Sequence, residues 1–175
     1  MIKGDYLNLT KGQLKSKDGI DLYSRKDFDG MHTAGRVAAE ILDEIVTSVF
    51  PGQTTGKIDS IIEELIRDKN VESGTIGYRG YQHASCISVN HVVCHGIPSD
   101  KILKEGDILN IDVTVIKDGW YGDTSRMYVA GQPSRKAERL IQVTHDALFK
   151  GIDAVKPGKT FGDIGHAIQT LSLIH

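Results

Sequence analysis

The chain has 175 residues, 39% of them hydrophobic and 25% charged, with a formal net charge of −2. That length supports one domain with a real core, and the composition excludes disorder and a membrane-embedded chain. The charge gives no electrostatic footprint for nucleic acid, and no apolar run is long enough to cross a bilayer.

Residues 1–23 are polar and rich in turn residues (Gly4, Gly12, Gly19), and they read as loop with one short strand. They also lack the apolar stretch of a secretory signal, and with only Cys86 and Cys94 present the chain reads as cytoplasmic, with free thiols. Ser24 is positioned to cap a first helix, with Asp27 in its first turn. Its apolar stripe is Phe28, Met31, Val37, Ile41, Ile45 and Val49, flanked by Ala34 and Ala38, which makes Met31 a core residue and His32 a surface one. Phe50-Pro51-Gly52 ends that helix. A second runs from about Thr54 on Ile58, Ile61, Ile62, Leu65 and Ile66, and ends at Asp68-Lys69-Asn70.

From Val71 the pattern turns extended. Ser85, Ile87 and Val89 alternate with Cys86 and Ser88, and the whole HASCISVNHVVCHGIP stretch reads as strand before the turn at Ile97-Pro98-Ser99. Leu109, Ile111, Val113 and Val115 then alternate with Asn110, Asp112 and Thr114. Asp118-Gly119 supplies a hairpin turn, and Lys117 should pair with Trp120, Thr114 with Asp123, and Asp112 with Ser125. On that two-residue turn Asp112 and Asp123 share a face of the hairpin as diagonal neighbours; a four-residue turn keeps the parity and a three-residue turn would reverse it. Two such carboxylates repel unless a cation lies between them, which makes a metal site the sharper reading. The blander reading has Asp112 on a solvent-facing strand and Asp123 as a turn residue after Gly122.

Ser134 is set to cap a third helix, with Leu140, Ile141, Val143, Ala147, Leu148, Ile152 and Val155 on its apolar face. Lys156-Pro157-Gly158 stops it, and Thr160 opens a last helix on Ile164, Ala167, Ile168 and Leu171. The two helix junctions match. Pro51-Gly52, Thr54, Gly56 and Ile58 coincide with Pro157-Gly158, Thr160, Gly162 and Ile164, and Ile62 coincides with Ile168. Reuse of common stop and cap chemistry would give part of that match; duplication of a whole unit would give all of it. On the second reading the strands of the second copy would lie beyond residue 175. The chain then resembles a fragment of a two-half domain, with half-covered helices left exposed.

Other constellations are weaker. His95, before Gly96, reaches the Asp face if its strand pairs with the first hairpin arm; otherwise it is a loop residue. His83-x-x-Cys86 and His91-x-x-Cys94 have the residue types of a zinc set, but residues three apart on a strand point to opposite faces. The pattern indicates no separate base that would make either cysteine a nucleophile, and there is no P-loop, dinucleotide fingerprint, nucleophile elbow or H-E-x-x-H.

The strings GYRGYQHASCISVNHVVCHGIPSD and LKEGDILNIDVTVIKDGWYGDTSRMYVAG closely resemble type I methionine aminopeptidases. The likeness runs from residue 25 to Thr170. It implies an α+β pita-bread fold of two pseudo-symmetric halves, the second truncated here: a single, C-terminally incomplete domain over 1–175, with its first half at 25–131 and the start of the second at 134–175. It implies an enzyme that removes the initiator methionine of nascent chains, near the ribosome, with two divalent ions (Co, Mn, Fe or Zn) activating a bridging water. By the resemblance Asp112 chelates one metal and Asp123 bridges both, and His95 is the catalytic histidine that hydrogen-bonds the scissile amide. Tyr78, Tyr81 and Cys86 line the methionine pocket, and the carbonyls of Asn90 and Val92 hold a monovalent cation. The family's other ligands, one His and two Glu, fall in the second half. Leu171-Ser172-Leu173-Ile174-His175 no longer resembles family sequence, so His175 is not the missing histidine. The expectation is weak metal binding and little or no activity for this chain, or a non-catalytic remnant or binding module of the same fold.

Overall fold

The computed structural model describes residues 14–174, so the reading of residues 1–13 and of His175 lies outside the described residues. The chain divides into two compact units between Ala130 and Gly131.

The first unit begins with a two-strand ladder, β1 (Leu14–Lys15) against β2 (Asp21–Leu22). Helix α1 (Arg25–Glu44) follows. Ser24 caps it, and the Asp27 carboxylate accepts from the Ser24 N–H at 2.8 Å, a reciprocal capping box. A 3₁₀ turn (Ile45–Ser48) leads to α2 (Thr55–Asp68), capped by Thr54 and released through the left-handed Asn70, φ 53°. The sheet consists of β3 (Glu72–Ser73), β4 (Ser85–Val89), β5 (Asp107–Lys117) and β6 (Trp120–Ala130), paired antiparallel throughout. β5 is its spine: β6 follows one edge over the full length, while β4 and β3 share the other.

The hairpin has the register read from its alternation. Asp118 (φ 52°) and Gly119 (φ 78°) are both left-handed, as a tight two-residue turn requires, and Lys117 pairs with Trp120, Thr114 with Asp123 and Asp112 with Ser125. Leu109, Ile111, Val113 and Val115 are buried beneath Ala38, Ile41 and Leu42 of α1 and Ile58, Ile62 and Ile66 of α2. The even-numbered residues of β5 and the odd-numbered ones of β6 are left on the opposite face.

Helix α1 crosses the hairpin at very close range. A Cβ on Gly122 would come within 2.2 Å of the Ala34 carbonyl oxygen, and one on Gly30 within 2.4 Å of the Trp120 ring. The line of contact thus runs through Gly30, Ala34 and Ala38 to Ile41, Leu42 and Ile45. Met31 lies about 100° of helix rotation from Gly30 and about 60° from Ala34, the two residues the hairpin approaches most closely. This corrects the expected stripe: Met31 and Phe28 are exposed, and Leu42, which the spacing omitted, is buried.

A second correction concerns β4. It stops at Val89 because Asn90 turns left-handed (φ 55°), its side chain donating to Asp107 and accepting from the Ile108 N–H. The chain doubles back, and Gly96 receives the Ile87 N–H on its carbonyl at 2.8 Å while donating its own N–H to Ser88 Oγ.

The second unit is the helical hairpin α3 (Arg135–Asp153) and α4 (Phe161–Ile174). Ser134 caps α3 as read, and Thr160 with Asp163 forms a capping box at α4. Of the expected α3 stripe only Ala147 is buried, with Gly151 beside it; Leu140, Leu148, Ile152 and Val155 are exposed. No helix among the described residues is long and apolar enough to cross a membrane.

Candidate active site

Asp112 and Asp123 project from the face of the β5–β6 hairpin that α1 and α2 leave uncovered. Together with His95, Tyr78, Tyr81 and Cys86 they line one cavity of about 810 Å³. Three separate segments build it: the hairpin, the 3₁₀ turn at Tyr78–Gly80 with the chain that follows it, and the loop returning from β4.

The two carboxylates are close enough to share a hydrogen bond. Asp112 is held above the usual carboxylate range, first by its burial, then by the charge and hydrogen bond of Asp123, with His95 pulling the other way. Two carboxylates this close repel each other, and a bound cation would relieve that repulsion. The rigid strands and oxygen donors fit a divalent ion, so Asp112 and Asp123 would hold it. They supply part of a donor set, because among the described residues no third His, Cys, Asp or Glu joins them in a group able to hold a metal.

His95 reaches the cavity by a different route from the one expected. It is not on a strand paired to β5. It sits in the left-handed region, φ 55°, at the end of the loop that Asn90 turns back, and Gly96 clips that loop to β4. Only glycine fits beside it, since a Cβ on Gly96 would lie 2.2 Å from the Ile87 carbonyl.

Tyr81 and Cys86 form a linked wall. The Tyr81 hydroxyl donates to the Ser85 carbonyl at 2.8 Å, and the Cys86 thiol donates to Tyr81 Oη at 3.6 Å. Burial pushes both groups above their ordinary pKa values, which favours the protonated thiol. Tyr78 is exposed, with Arg79 lying over its ring at 5.5 Å. Asn90 and Val92 belong to the turn after β4 and do not line this cavity. The alternative zinc grouping is broken up by its members' other bonds: His83 Nδ1 donates to Asp59 at 3.0 Å while Cys86 bonds Tyr81.

Arg79, Thr114 and Tyr121 also line the cavity and were missed. Thr114 and Tyr121 were legible in principle, because strand parity places both on the Asp112–Asp123 face. Arg79 carried no such signal.

The sequence profile of metallopeptidase family M24 matches residues 29–172, and the chain belongs to that family. Methionine aminopeptidases are among its close relatives. That of Rickettsia prowazekii is 52% identical over 156 residues, and that of Escherichia coli K12 is 47% identical over 152. These alignments cover 89% and 86% of this chain but 60% and 58% of the relatives, so the chain spans about three fifths of their length. The crystal structure of the Rickettsia prowazekii enzyme superposes with a TM-score of 0.86 over 88% of this chain and 62% of its own. The prolidase of Pyrococcus horikoshii, 19% identical, matches with a TM-score of 0.76 over 93% of this chain and 43% of its own, a likeness of fold. The fold is the pita-bread fold, and a metallopeptidase family implies use of a divalent metal.

Proposed function

We propose that this chain carries the first part of a methionine aminopeptidase site that removes the initiator methionine from nascent polypeptides in the cytoplasm, near the ribosome. One observation carries the reading: Asp112, Asp123, His95, Tyr78, Tyr81 and Cys86, drawn from three segments, converge on a single cavity. Similarity to methionine aminopeptidases over most of the chain supports the choice of substrate.

In this reading the side chain of an N-terminal methionine packs against Tyr78, Tyr81 and Cys86, an aromatic and soft-sulfur surface suited to a thioether. The imidazole of His95 faces the same space and donates a hydrogen bond to the scissile amide, holding it in line. Asp112 and Asp123 hold divalent metal (Co, Mn, Fe or Zn), which when bound supplies a Lewis acid and an acidified water. The carbonyls of Asn90 and Val92, outside the cavity, are the monovalent-cation position.

Two carboxylates leave each of two ions mostly to solvent, so the chain by itself binds metal weakly and turns over little. Native mass spectrometry during a Mn²⁺ or Co²⁺ titration tests this. Partial, easily lost occupancy that disappears in Asp112→Asn is expected, and two tightly retained ions would overturn it. Hydrolysis of a Met-Ala-Ser peptide under the same conditions separates a slow enzyme from the second reading, a non-catalytic remnant or binding module. That reading is favoured by the missing third ligand among the described residues, and a complete lack of turnover would select it.

A further inference from the structure

Asp59 is an acid that the site does not use. It lies on α2, is 6% exposed, and does not line the cavity. Burying a carboxylate is costly unless donors meet it, and here three do. Oδ1 accepts from the Ser85 N–H at 2.9 Å and from the Ser85 hydroxyl at 2.7 Å, and Oδ2 accepts from His83 Nδ1 at 3.0 Å.

All three donors sit immediately behind the cavity wall. The His83 ring packs edge-on against Tyr81 with centroids 5.5 Å apart. The Tyr81 hydroxyl donates to the Ser85 carbonyl, and Cys86 donates to Tyr81. Tyr81 is thus held at two points, its ring by His83 and its hydroxyl by Ser85, and both holders hang on one carboxylate. A simple tie between α2 and β4 would need one bond. The fork at Asp59 fixes the two residues that between them decide where Tyr81 stands.

We propose that Asp59 is a positioning residue for the cavity: through Ser85 and His83 it holds Tyr81 and Cys86 as a fixed wall, and so sets the shape of side chain the cavity admits. What the wall selects rests on the pocket reading above; the holding of the wall does not.

Cys94→Ser leaves Cys86 as the only thiol, and its alkylation by iodoacetamide at one fixed pH reports whether the wall is closed. Asp59→Ala removes the acceptor from two buried donors and should speed alkylation about tenfold. Asp59→Asn keeps an amide oxygen for Ser85 and an amide donor for the other His83 tautomer, and should stay within about threefold of the parent. His83→Ala lies between. Its side chain is one-third exposed, so that variant folds even where Asp59→Ala does not. Lys69→Ala, which cuts the α1–α2 ion pairs in the same unit, should leave the rate unchanged. Parent rates in both Asp59→Ala and His83→Ala, or an equal rise in Lys69→Ala, overturn the proposal. Protection of Cys86 by Met-Ala-Ser in the parent, lost in Asp59→Ala, confirms the selection step. No protection in the parent overturns the pocket reading and the selection with it, while the alkylation series still decides the wall.

Discussion

The chain contains two helix pairs built to one local recipe, and they meet different fates. Both junctions turn on Pro-Gly with the glycine left-handed, Gly52 at φ 95° and Gly158 at φ 86°, and a threonine caps the next helix in each. In the first pair Ile41, Leu42, Ile58 and Ile62 disappear beneath the sheet. In the second, Leu140 is 58% exposed and Ile152 52%. Stop and cap signals therefore suffice to make a helix pair, because they act within one turn of the chain. Burial needs an opposing surface, which the helices do not themselves encode. The apolar stripe of α3 predicts which face is ready to pack and nothing about whether it does.

The difference should be largest at matched core positions. Ile62 is fully buried and Ile168, its counterpart by junction alignment, is 38% exposed. Ile62→Ala should cost about 3 kcal/mol, from lost transfer energy and the cavity left in a layer between helix and sheet. Ile168→Ala should cost less than about 1 kcal/mol, since a partly solvated site loses little on truncation. Urea unfolding of the two variants checks this. Equal losses would mean that the second pair is packed as tightly as the first.

Glycines sharpen the contrast. Gly122→Ala drives a methyl into the Ala34 carbonyl, backbone against backbone, and should cost about 2 kcal/mol or more by prising α1 from the hairpin. The first atom a Cβ on Gly151 would meet, at 2.9 Å, is Ile168 Cδ1, the end of a flexible side chain. Gly151→Ala should therefore be neutral, or stabilising by at most about 1 kcal/mol through helix propensity. Thermal melts separate the two. A Gly122→Ala protein that melts with the parent would show that α1 shifts freely over β6.

How much of this was readable follows the same division between local and remote causes. The β5–β6 hairpin was legible to the residue provided Asp118-Gly119 makes a two-residue turn, the case the structure bears out, and that register brings Asp112 and Asp123 together. The caps at Ser24 and Ser134, and the helix starts at Thr54 and Thr160, were legible as local signals too. Remote partners defeated the reading elsewhere. Met31 fits a helical stripe as well as Ala34 does, and only the approach of Gly122, far along the chain, decides which of them is covered. The turn at Asn90 depends on Asp107 and Ile108, so the strand was read through it, and His95 was expected by the wrong route. Motif strings named Tyr78, Tyr81 and Cys86 where periodicity alone had no warrant, and gave a role to His95, which strand pairing had placed only conditionally. Asp59 escaped because an acid beside Ile58 and Ile62 reads as the polar flank of an amphipathic helix, when it is the acceptor for a strand that had not yet been placed.

The smallest expected difference lies in the caps themselves and is set by pH. At α2, Thr54 Oγ1 accepts from the Lys57 N–H, and no acid answers it. At α4, Asp163 accepts from both the N–H and the hydroxyl of Thr160, with Lys159 beside it. These bonds hold Asp163 below the usual carboxylate range, the Thr160 N–H contributing most. A carboxylate depressed in the folded state stabilises it fully above the unfolded pKa of about 3.9, and that stabilisation is lost as pH falls through the lower folded value. Acidification from neutral pH to about 2 should thus fray the start of α4 and leave the Thr54 cap of α2 in place. Amide exchange over Phe161–Ile164 should accelerate relative to Thr55–Ile58, once each is corrected for intrinsic rate, and Asp163→Asn should remove most of the pH response. If both helix starts loosen together, or if Asp163→Asn responds as the parent does, the two junctions are chemically alike and the capping acid of α4 is idle.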